Sequence, residues 1–226
     1  MYKLSERLKK IAGLVPVSAA VADIGADHGY LSIFIEKNKN PKKVIACDIN
    51  EKPLLSAKSN IKKTGCTKIE TRLSDGLQKI EADEVDTVII AGMGGKVISG
   101  IIERCSWLKA QKYTLILQPM TAAAQLRRFL FENGFEIVLE SAVKDAGKIY
   151  SVIKAQYTGT QENNREVFFY VGKLNAENKT DAEYIKKQLK IAKECKNSLC
   201  GIEEKKQKFL YYQELTEQLK EILGEN

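Results

Sequence analysis

Two patterns of apolar residues alternate along this chain. Short apolar runs rich in β-branched residues predict seven strands, at Ala20–Ile24, Lys43–Cys47, Lys68–Leu73, Val85–Ala91, Tyr113–Leu117, Phe135–Val143 and Ile149–Tyr157. Apolar positions at helical spacing predict helices at Ser5–Gly13, Tyr30–Lys37, Lys52–Lys63, a short piece near Leu77, Val97–Cys105 and Ala122–Asn133. Because strands and helices take turns as far as the sixth strand, we expect crossover connections and a mostly parallel sheet.

The last two predicted strands interrupt this alternation. Only the polar segment Lys144–Lys148, which contains Gly147, separates them, and so short a connection favours an antiparallel hairpin. Five parallel strands followed by an antiparallel pair are typical of class I methyltransferases, whereas folds that bind NAD normally end with another parallel strand. The sequence therefore predicts an α/β fold, namely the Rossmann-like, seven-stranded sheet of a class I methyltransferase.

A second helical pattern occupies the C-terminal part of the chain. It opens with a capping box, Thr180-x-x-Glu183, in which the two side chains can satisfy free backbone N–H groups. Apolar residues then recur at steps of three and four, with an interruption at Gly201. This pattern predicts two helices that form an antiparallel, coiled-coil-like hairpin.

The composition changes between these two parts. Thr158–Asn164 is polar and is predicted to be a linker. The expected organisation is therefore a methyltransferase domain of residues 1–157 and a helical extension of residues 158–226.

The chain is basic, with 36 Lys and Arg against 29 Asp and Glu and a formal net charge of +7. Such an excess favours a polyanionic partner such as a nucleic acid, although it also serves plain solubility. Residues 179–208 contain nine lysines and five acids. These lysines indicate either a surface that follows an RNA backbone or the solvated face of a helical hairpin.

Other classes of protein are disfavoured by what the sequence lacks. The five cysteines are scattered without C-x-x-C spacing, and there is one histidine, so neither a disulfide framework nor a metal site is predicted. The charged N-terminus is unlike a signal peptide, and no apolar run reaches the roughly 18 residues of a membrane span. We therefore expect a cytoplasmic protein without membrane contact.

The first chemical motif lies where the first strand turns into a helix. Gly25 permits close approach of a ligand to the backbone, and the start of the helix presents free N–H groups. A dinucleotide site requires a second glycine two residues later, but Asp27 stands there and would repel a pyrophosphate. The pattern instead favours S-adenosyl-L-methionine (AdoMet), whose sulfonium end tolerates a carboxylate. In the alternative interpretation this is a tight turn in which Asp27 caps the helix.

Acidic residues follow the next two strands in the same way. An acid about 20 residues after such a glycine commonly accepts hydrogen bonds from ribose hydroxyls, which suits Asp48. Asp75-Gly76 follows the third strand, where it is suited to hold an adenine or simply to form a turn. The predicted cofactor-binding residues are Asp23, Gly25, Ala26, His28, Asp48, Ile49, Asp75, Gly76 and Gly92.

The fourth and fifth strands end in a second pair of candidate segments. Gly92, Gly94 and Gly95 remove side chains where a flat base would approach a methyl donor, or they form a flexible start of a helix. Gln118, which precedes Pro119, can offer an amide to a base or be a polar residue before a turn. His28 is a weak candidate for a general base, since methylation of a ring nitrogen with a free lone pair requires no prior deprotonation.

Taken together, these motifs resemble one family, the bacterial tRNA (adenine-22-N1)-methyltransferases. The resemblance rests on Ser5-x-Arg7-Leu8, Asp23–Leu31, Ser74–Leu77, Ala91–Gly95 and Leu117–Pro119. The sequence departs from the family pattern at Met120, where Asn is expected, and its extension is shorter than in some relatives.

This resemblance implies that the protein, expected to be a monomer, methylates N1 of adenosine 22 in the D-arm of tRNA with AdoMet as cofactor. Asp27 would be the catalytic acid that accepts a hydrogen bond from the adenine amino group. The implied substrate-binding residues are Arg7, Met93, Gly94, Gly95, Gln118 and Pro119. The alternatives are a methyltransferase of a small molecule or protein, and a catalytically silent module that binds AdoMet or RNA.

Overall fold

The computed structural model describes residues 4–160 and 164–225 and contains the predicted sheet of seven strands, ordered β3-β2-β1-β4-β5-β7-β6. The strands are β1 Ala20–Ile24, β2 Lys43–Asp48, β3 Ile69–Leu73, β4 Thr87–Gly94, β5 Thr114–Thr121, β6 Phe135–Asp145 and β7 Lys148–Tyr157. The helices are α1 Glu6–Leu14, α2 Tyr30–Lys39, α3 Glu51–Thr64, α4 Gly95–Glu103, α5 Ala123–Glu132, α6 Glu166–Val171, α7 Lys179–Ser198 and α8 Lys206–Leu223. β1 to β5 pair in parallel, and β7 is antiparallel to both β5 and β6. The α/β fold class and the antiparallel ending are therefore confirmed.

Helices cover both faces of the central strands, which explains why these strands are almost entirely apolar. Along β4, Val88 and Ile90 pack on one face with α4 and α5, whereas Ile89 packs on the other face with α1 and α2. The alternation of side chains along a strand requires this division. Because helices cover both faces, the carboxyl ends of the strands remain as an accessible edge of the sheet.

A two-residue turn joins β6 and β7. Ala146 and Gly147 both have positive φ, 47° and 73°, which is the backbone form that matches the twist of an antiparallel hairpin. The predicted hairpin is confirmed, and the turn is shorter than the polar segment that marked it.

One predicted helix is wrong. The segment around Leu77 is a turn, in which the Ser74 hydroxyl accepts a hydrogen bond from Lys79 N and donates one to Gly76 O. Gly76 has a φ of +58°, which is incompatible with a right-handed helix, while Leu77 is buried in the core. Burial of that single side chain produced the apolar signal.

The extension contains the predicted hairpin of α7 and α8, joined near Gly201. Its start differs from the prediction, because the side chain of Asn178, and not that of Thr180, caps α7 by accepting from Thr180 N and Asp181 N. The helix therefore begins two residues earlier. The sequence also missed α6. Of the predicted linker Thr158–Asn164, residues 161–163 lie outside the described residues.

The extension is anchored to the sheet by a buried ion pair. Arg127 of α5 and Glu140 of β6 are both fully buried, with Nη2 and Oε1 2.7 Å apart. Arg127 also donates to the carbonyls of Phe169 and Tyr170 and to the hydroxyl of Tyr184, all three in the extension. Because these contacts cross from one part to the other, the extension is packed against the sheet along β6. None of the helices among the described residues has an apolar stretch long enough to cross a bilayer.

Candidate active site

The carboxyl ends of β1 and β4 border a cavity of about 260 Å³. Its position agrees with the general location of ligand sites in open α/β sheets. The lining residues come from α1, the β1–α2 turn, the start of α2 and the end of β4: Arg7, Leu8, Asp23, Gly25, Ala26, Asp27, His28, Tyr30, Leu31, Ala91 and Gly92. Of the predicted site residues, seven lie in this cavity.

The β1–α2 turn is held in a conformation that requires glycine. Gly25 has a φ of +76°, and a Cβ placed on it would lie 2.4 Å from the Met93 Cε. The amides of Gly25 and Ala26 both donate to the Cys47 carbonyl, which ties the turn to β2. The loop predicted to hold the cofactor thus contacts Met93, in the loop predicted to hold the substrate.

Asp27 has a conformation that is unusual for a residue with a side chain. Its φ is +47°, in the left-handed region, and its carboxylate is 67% exposed. The N-cap of α2 is Gly29, without any side-chain cap, so the alternative in which Asp27 caps the helix does not hold. An exposed carboxylate held in this conformation at the wall of a cavity makes Asp27 a candidate functional residue.

His28 lies beside Asp27, with its Nε2 3.7 Å from the Asp27 Oδ1. Its ring stacks on Tyr30 at a centroid distance of 5.5 Å and is about half exposed. The His28 carbonyl accepts a hydrogen bond from Asn60 Nδ2, which anchors the turn to α3. These contacts hold the imidazole at the cavity wall.

Asp23 forms the buried floor of the cavity. Its Oδ2 accepts a hydrogen bond of 2.7 Å from the Ser32 hydroxyl on α2. Burial raises the pKa of Asp23 to about 6, an effect that the Ser32 hydrogen bonds only partly offset. This carboxylate therefore joins the end of β1 to the first turn of α2.

The raised pKa of Asp23 predicts how stability depends on pH. Between pH 4 and 6 the folded protein binds more protons here than the unfolded chain does, so this group's contribution to the free energy of unfolding falls as pH rises. In Asp23→Asn this fall should be absent. Urea unfolding of both proteins from pH 4 to pH 7 tests this, and parallel pH profiles would contradict it.

Asp48 and Ile49, at the end of β2, present a carboxylate next to an apolar surface. Asp48 Oδ1 accepts from Asn50 N at 2.9 Å, and the Asp48 carbonyl accepts from Ser74 N. Ile49 is 61% exposed although it is apolar. This combination suits a ligand with hydroxyl groups and a flat ring.

Asp75 is fixed by a partner that the sequence did not indicate. Arg104, at the end of α4, donates to both oxygens of this carboxylate, at 3.0 and 3.2 Å. A Cβ on Gly76 would lie 3.0 Å from Ile101, so the turn is tight against α4. A separation of 29 residues along the chain concealed this pair from sequence analysis.

Gln118 connects the ends of β4 and β5. It is fully buried, and its Oε1 accepts from Gly92 N at 3.1 Å and from Arg7 Nη1 at 2.6 Å. Its Nε2 donates to the Pro119 carbonyl. This geometry differs from the expected contact of the amide with a base, because the amide organises the loop from within.

Arg7 lies in the cavity wall instead of on an outer surface. Its Nε is 3.5 Å from Asp145 Oδ2 of the β6–β7 hairpin, and its side chain is 20% exposed. The contact with substrate that the resemblance implies for Arg7 is therefore limited to a group that enters the cavity. Asp145, like Arg104, was not identified from the sequence.

The glycines at the end of β4 allow the chain to turn sharply into α4. The pairing with β5 is irregular on both sides of Met93, and Gly92 has a φ of +77°. Gly94 is the N-cap of α4, and a Cβ on Gly95 would lie 2.3 Å from the Ala122 carbonyl. The positive φ of Gly92 and the close approach of Gly95 to Ala122 both require a residue without a side chain. Within residues 4–160 and 164–225, no cluster of His, Cys, Asp and Glu could hold a metal ion.

Comparison with known proteins gives concordant matches. The family described as methyltransferase domain matches residues 4–153. A tRNA (adenine(22)-N(1))-methyltransferase of Bacillus subtilis is 38% identical over 155 residues, which are 68% of this chain and 65% of that protein, slightly less than two thirds of its length. The crystal structure of the B. subtilis tRNA methyltransferase TrmK covers 99% of this chain and 100% of its own, with 31% identity and a TM-score of 0.87. The structure of M. capricolum TrmK with S-adenosyl-homocysteine covers 99% of both chains, with 28% identity and a TM-score of 0.80.

Proposed function

Because this chain belongs to the family of tRNA (adenine(22)-N(1))-methyltransferases, we propose that it transfers a methyl group from AdoMet to N1 of adenosine 22 in tRNA. The observation that carries the proposal is the cavity in which the turn after β1 faces the glycine-rich end of β4. It brings an exposed carboxylate, Asp27, to the place where a donor and an acceptor would meet.

The residues at the ends of β1, β2 and β3 fit AdoMet. The glycine turn at Gly25 lines the cavity with backbone alone, and a Cβ there would lie 2.4 Å from Met93 Cε. Asp48 would accept hydrogen bonds from the ribose hydroxyls, and Ile49 would cover the adenine ring. Asp75, oriented by Arg104, would accept from the adenine amino group.

Replacing Asp48 with alanine should weaken AdoMet binding by about 1–3 kcal/mol, the loss expected for charge-assisted hydrogen bonds to two hydroxyls. Asp48→Asn is the matched control, because an amide oxygen can still accept from Asn50 N and preserve the local turn. Titration calorimetry of both variants measures the effect. An unchanged dissociation constant in Asp48→Ala would place the ribose elsewhere.

The reaction requires an unpaired adenine. N1 is shielded in a Watson–Crick pair, so the base must be flipped toward the loop of Met93, Gly94 and Gly95. AdoMet, when bound, supplies an electrophilic methyl group on a sulfonium. The N1 lone pair forms the new bond to carbon while the sulfur–carbon bond breaks, which leaves a positive charge on the purine.

Asp27 is suited to stabilise that charge. An adenine amino group that donates to its carboxylate becomes more acidic as N1 is alkylated, so the hydrogen bond strengthens in the transition state. Arg7 and the buried Gln118 hold Gly92 in place on the opposite wall. Alignment of donor and acceptor by these two walls supplies the remaining acceleration.

Mass spectrometry of nucleosides from unmodified tRNA incubated with the protein and AdoMet tests this function. We expect 1-methyladenosine, located at position 22 by sequencing of the fragment that contains it. AdoMet binding without methylated tRNA would contradict the proposal. A methylated small molecule or protein, or no product at all, would then identify one of the alternative functions.

The proposal extends to the partner and its setting. We infer that the protein acts as a cytoplasmic monomer on tRNA, with residues 1–157 as the catalytic domain and residues 158–226 as a helical extension whose α7 adds an RNA surface. The exposed lysines of α7, including Lys186, Lys190 and Lys193, support this assignment. Counterion release at such lysines makes affinity depend steeply on salt.

A further inference from the structure

A second cavity, of about 370 Å³, lies where the extension meets the ends of β5 and β7. We call it the extension groove, and the lining residues used in the argument are Met120, Tyr150, Tyr170, Lys187, Ile191 and Tyr212. Its volume is within the range of about 300–1,000 Å³ that is typical of small-molecule pockets.

The extension groove continues the edge of the sheet on which the active site lies. Met120 lies two residues after Gln118, which holds the wall of the active site. β7 runs antiparallel to β5, with Leu117 opposite Ile153, so Tyr150 is at the same edge. The cofactor residues at β1–β3, the reacting loops at β4–β5 and this groove therefore form one continuous row.

The lining of the extension groove is aromatic, apolar and weakly cationic. Tyr150, Tyr170 and Tyr212 are partly exposed, and Met120 and Ile191 are 39% and 42% exposed. Among the described residues that line it, Lys187 is the one charged residue. Aromatic faces bind nucleobases by stacking, and a lysine ammonium binds phosphate as a point charge.

We propose that the extension groove binds the nucleotide next to the target adenosine in the same tRNA, an inference that rests on the function proposed above. Its base lies against the tyrosine rings, and its phosphate lies at Lys187. Flipping the target base removes a stacking partner from this neighbour. Stacking on tyrosine replaces that partner and stabilises the flipped form.

The test compares two variants with the same change of charge. Ile191→Glu places a carboxylate in the groove, whereas Leu210→Glu places one on α8 at a residue that does not line it. Both side chains are exposed, at 42% and 53%, so neither change should disturb folding.

We expect Ile191→Glu to raise the KM for tRNA about tenfold, in line with the loss of one stacked base, with unchanged AdoMet affinity. Leu210→Glu should change KM less than about twofold. Equal values of KM in the two variants would overturn the proposal.

A second measurement identifies the nucleotide. In a tRNA transcript, 2-aminopurine replaces in turn the nucleotide on the 5′ side and the one on the 3′ side of the target. Binding of wild-type protein with AdoMet should quench the fluorescence of one of them, and Ile191→Glu should abolish that quenching while Leu210→Glu preserves it. If neither position is quenched, the groove does not hold the adjacent nucleotide.

Failure of the two proposals is distinguishable. If wild-type protein produces no 1-methyladenosine, the proposed function fails, whatever the variants do. If wild-type protein does produce it, and Ile191→Glu and Leu210→Glu bind tRNA and quench fluorescence alike, only the groove proposal fails.

Discussion

Replacement of Asp27 by alanine should lower the rate of tRNA methylation at least about a hundredfold, a loss of ~2.7 kcal/mol of transition-state stabilisation. AdoMet affinity should change by less than about tenfold. The asymmetry follows from position: the carboxylate lines the active-site cavity, exposed and beside Gly25 and His28, while the contacts that we propose for ribose and adenine lie at the ends of β2 and β3. The hydrogen bond that the adenine amino group donates to Asp27 strengthens only as the purine becomes positive.

Asp27→Asn is the informative control for this experiment. Asparagine accepts a φ of +47° more readily than alanine does, so the turn and the stability of the fold should be preserved. Because the amide lacks the negative charge, the methylation rate of Asp27→Asn should remain far below that of the wild type. Single-turnover methylation at saturating AdoMet, together with cofactor titration, measures both quantities. A near wild-type rate in either variant would remove Asp27 from catalysis, and a parallel loss of affinity and rate would make it a cofactor ligand.

Replacement of Arg127 by methionine should destabilise the fold by about 3–5 kcal/mol, because it leaves the fully buried Glu140 without its counter-charge. The carbonyls of Phe169 and Tyr170 lose donors at the same time, so the packing of the extension against the sheet should weaken. Urea unfolding followed by circular dichroism measures the loss. AdoMet binding, which we propose to occur at the ends of β1, β2 and β3 in the opposite half of the sheet, should persist at low temperature.

The double variant Arg127→Met with Glu140→Gln separates charge from packing. The glutamine is neutral and can still accept from Lys173 N, so the double variant should be more stable than Arg127→Met alone. Equal losses in the single and double variants would show that packing, and not the unpaired charge, determines the effect.

The sequence predicted most of the fold because its elements are encoded locally. The apolar β4 run reflects burial on both faces, and Ala146 with Gly147 provides a turn that only an antiparallel pair can use. The position of Gly25 after β1 likewise located the cavity, since a positive φ and close approach are backbone requirements. Errors occurred where one side chain gave the signal, as at Leu77 and at the Thr180 cap.

The partners of the charged and amide side chains were decided only by the tertiary structure. Arg7 and Gln118 are 111 residues apart, and Arg127 reaches carbonyls 42 and 43 residues away. Hydrophobic periodicity specifies which face of an element is buried. It does not specify which acceptor an arginine guanidinium meets, because the sequence pattern around the arginine is the same for any acceptor. The extension groove arises in the same way, from side chains of β5, β7 and the extension that have no common sequence signal until packing brings them together.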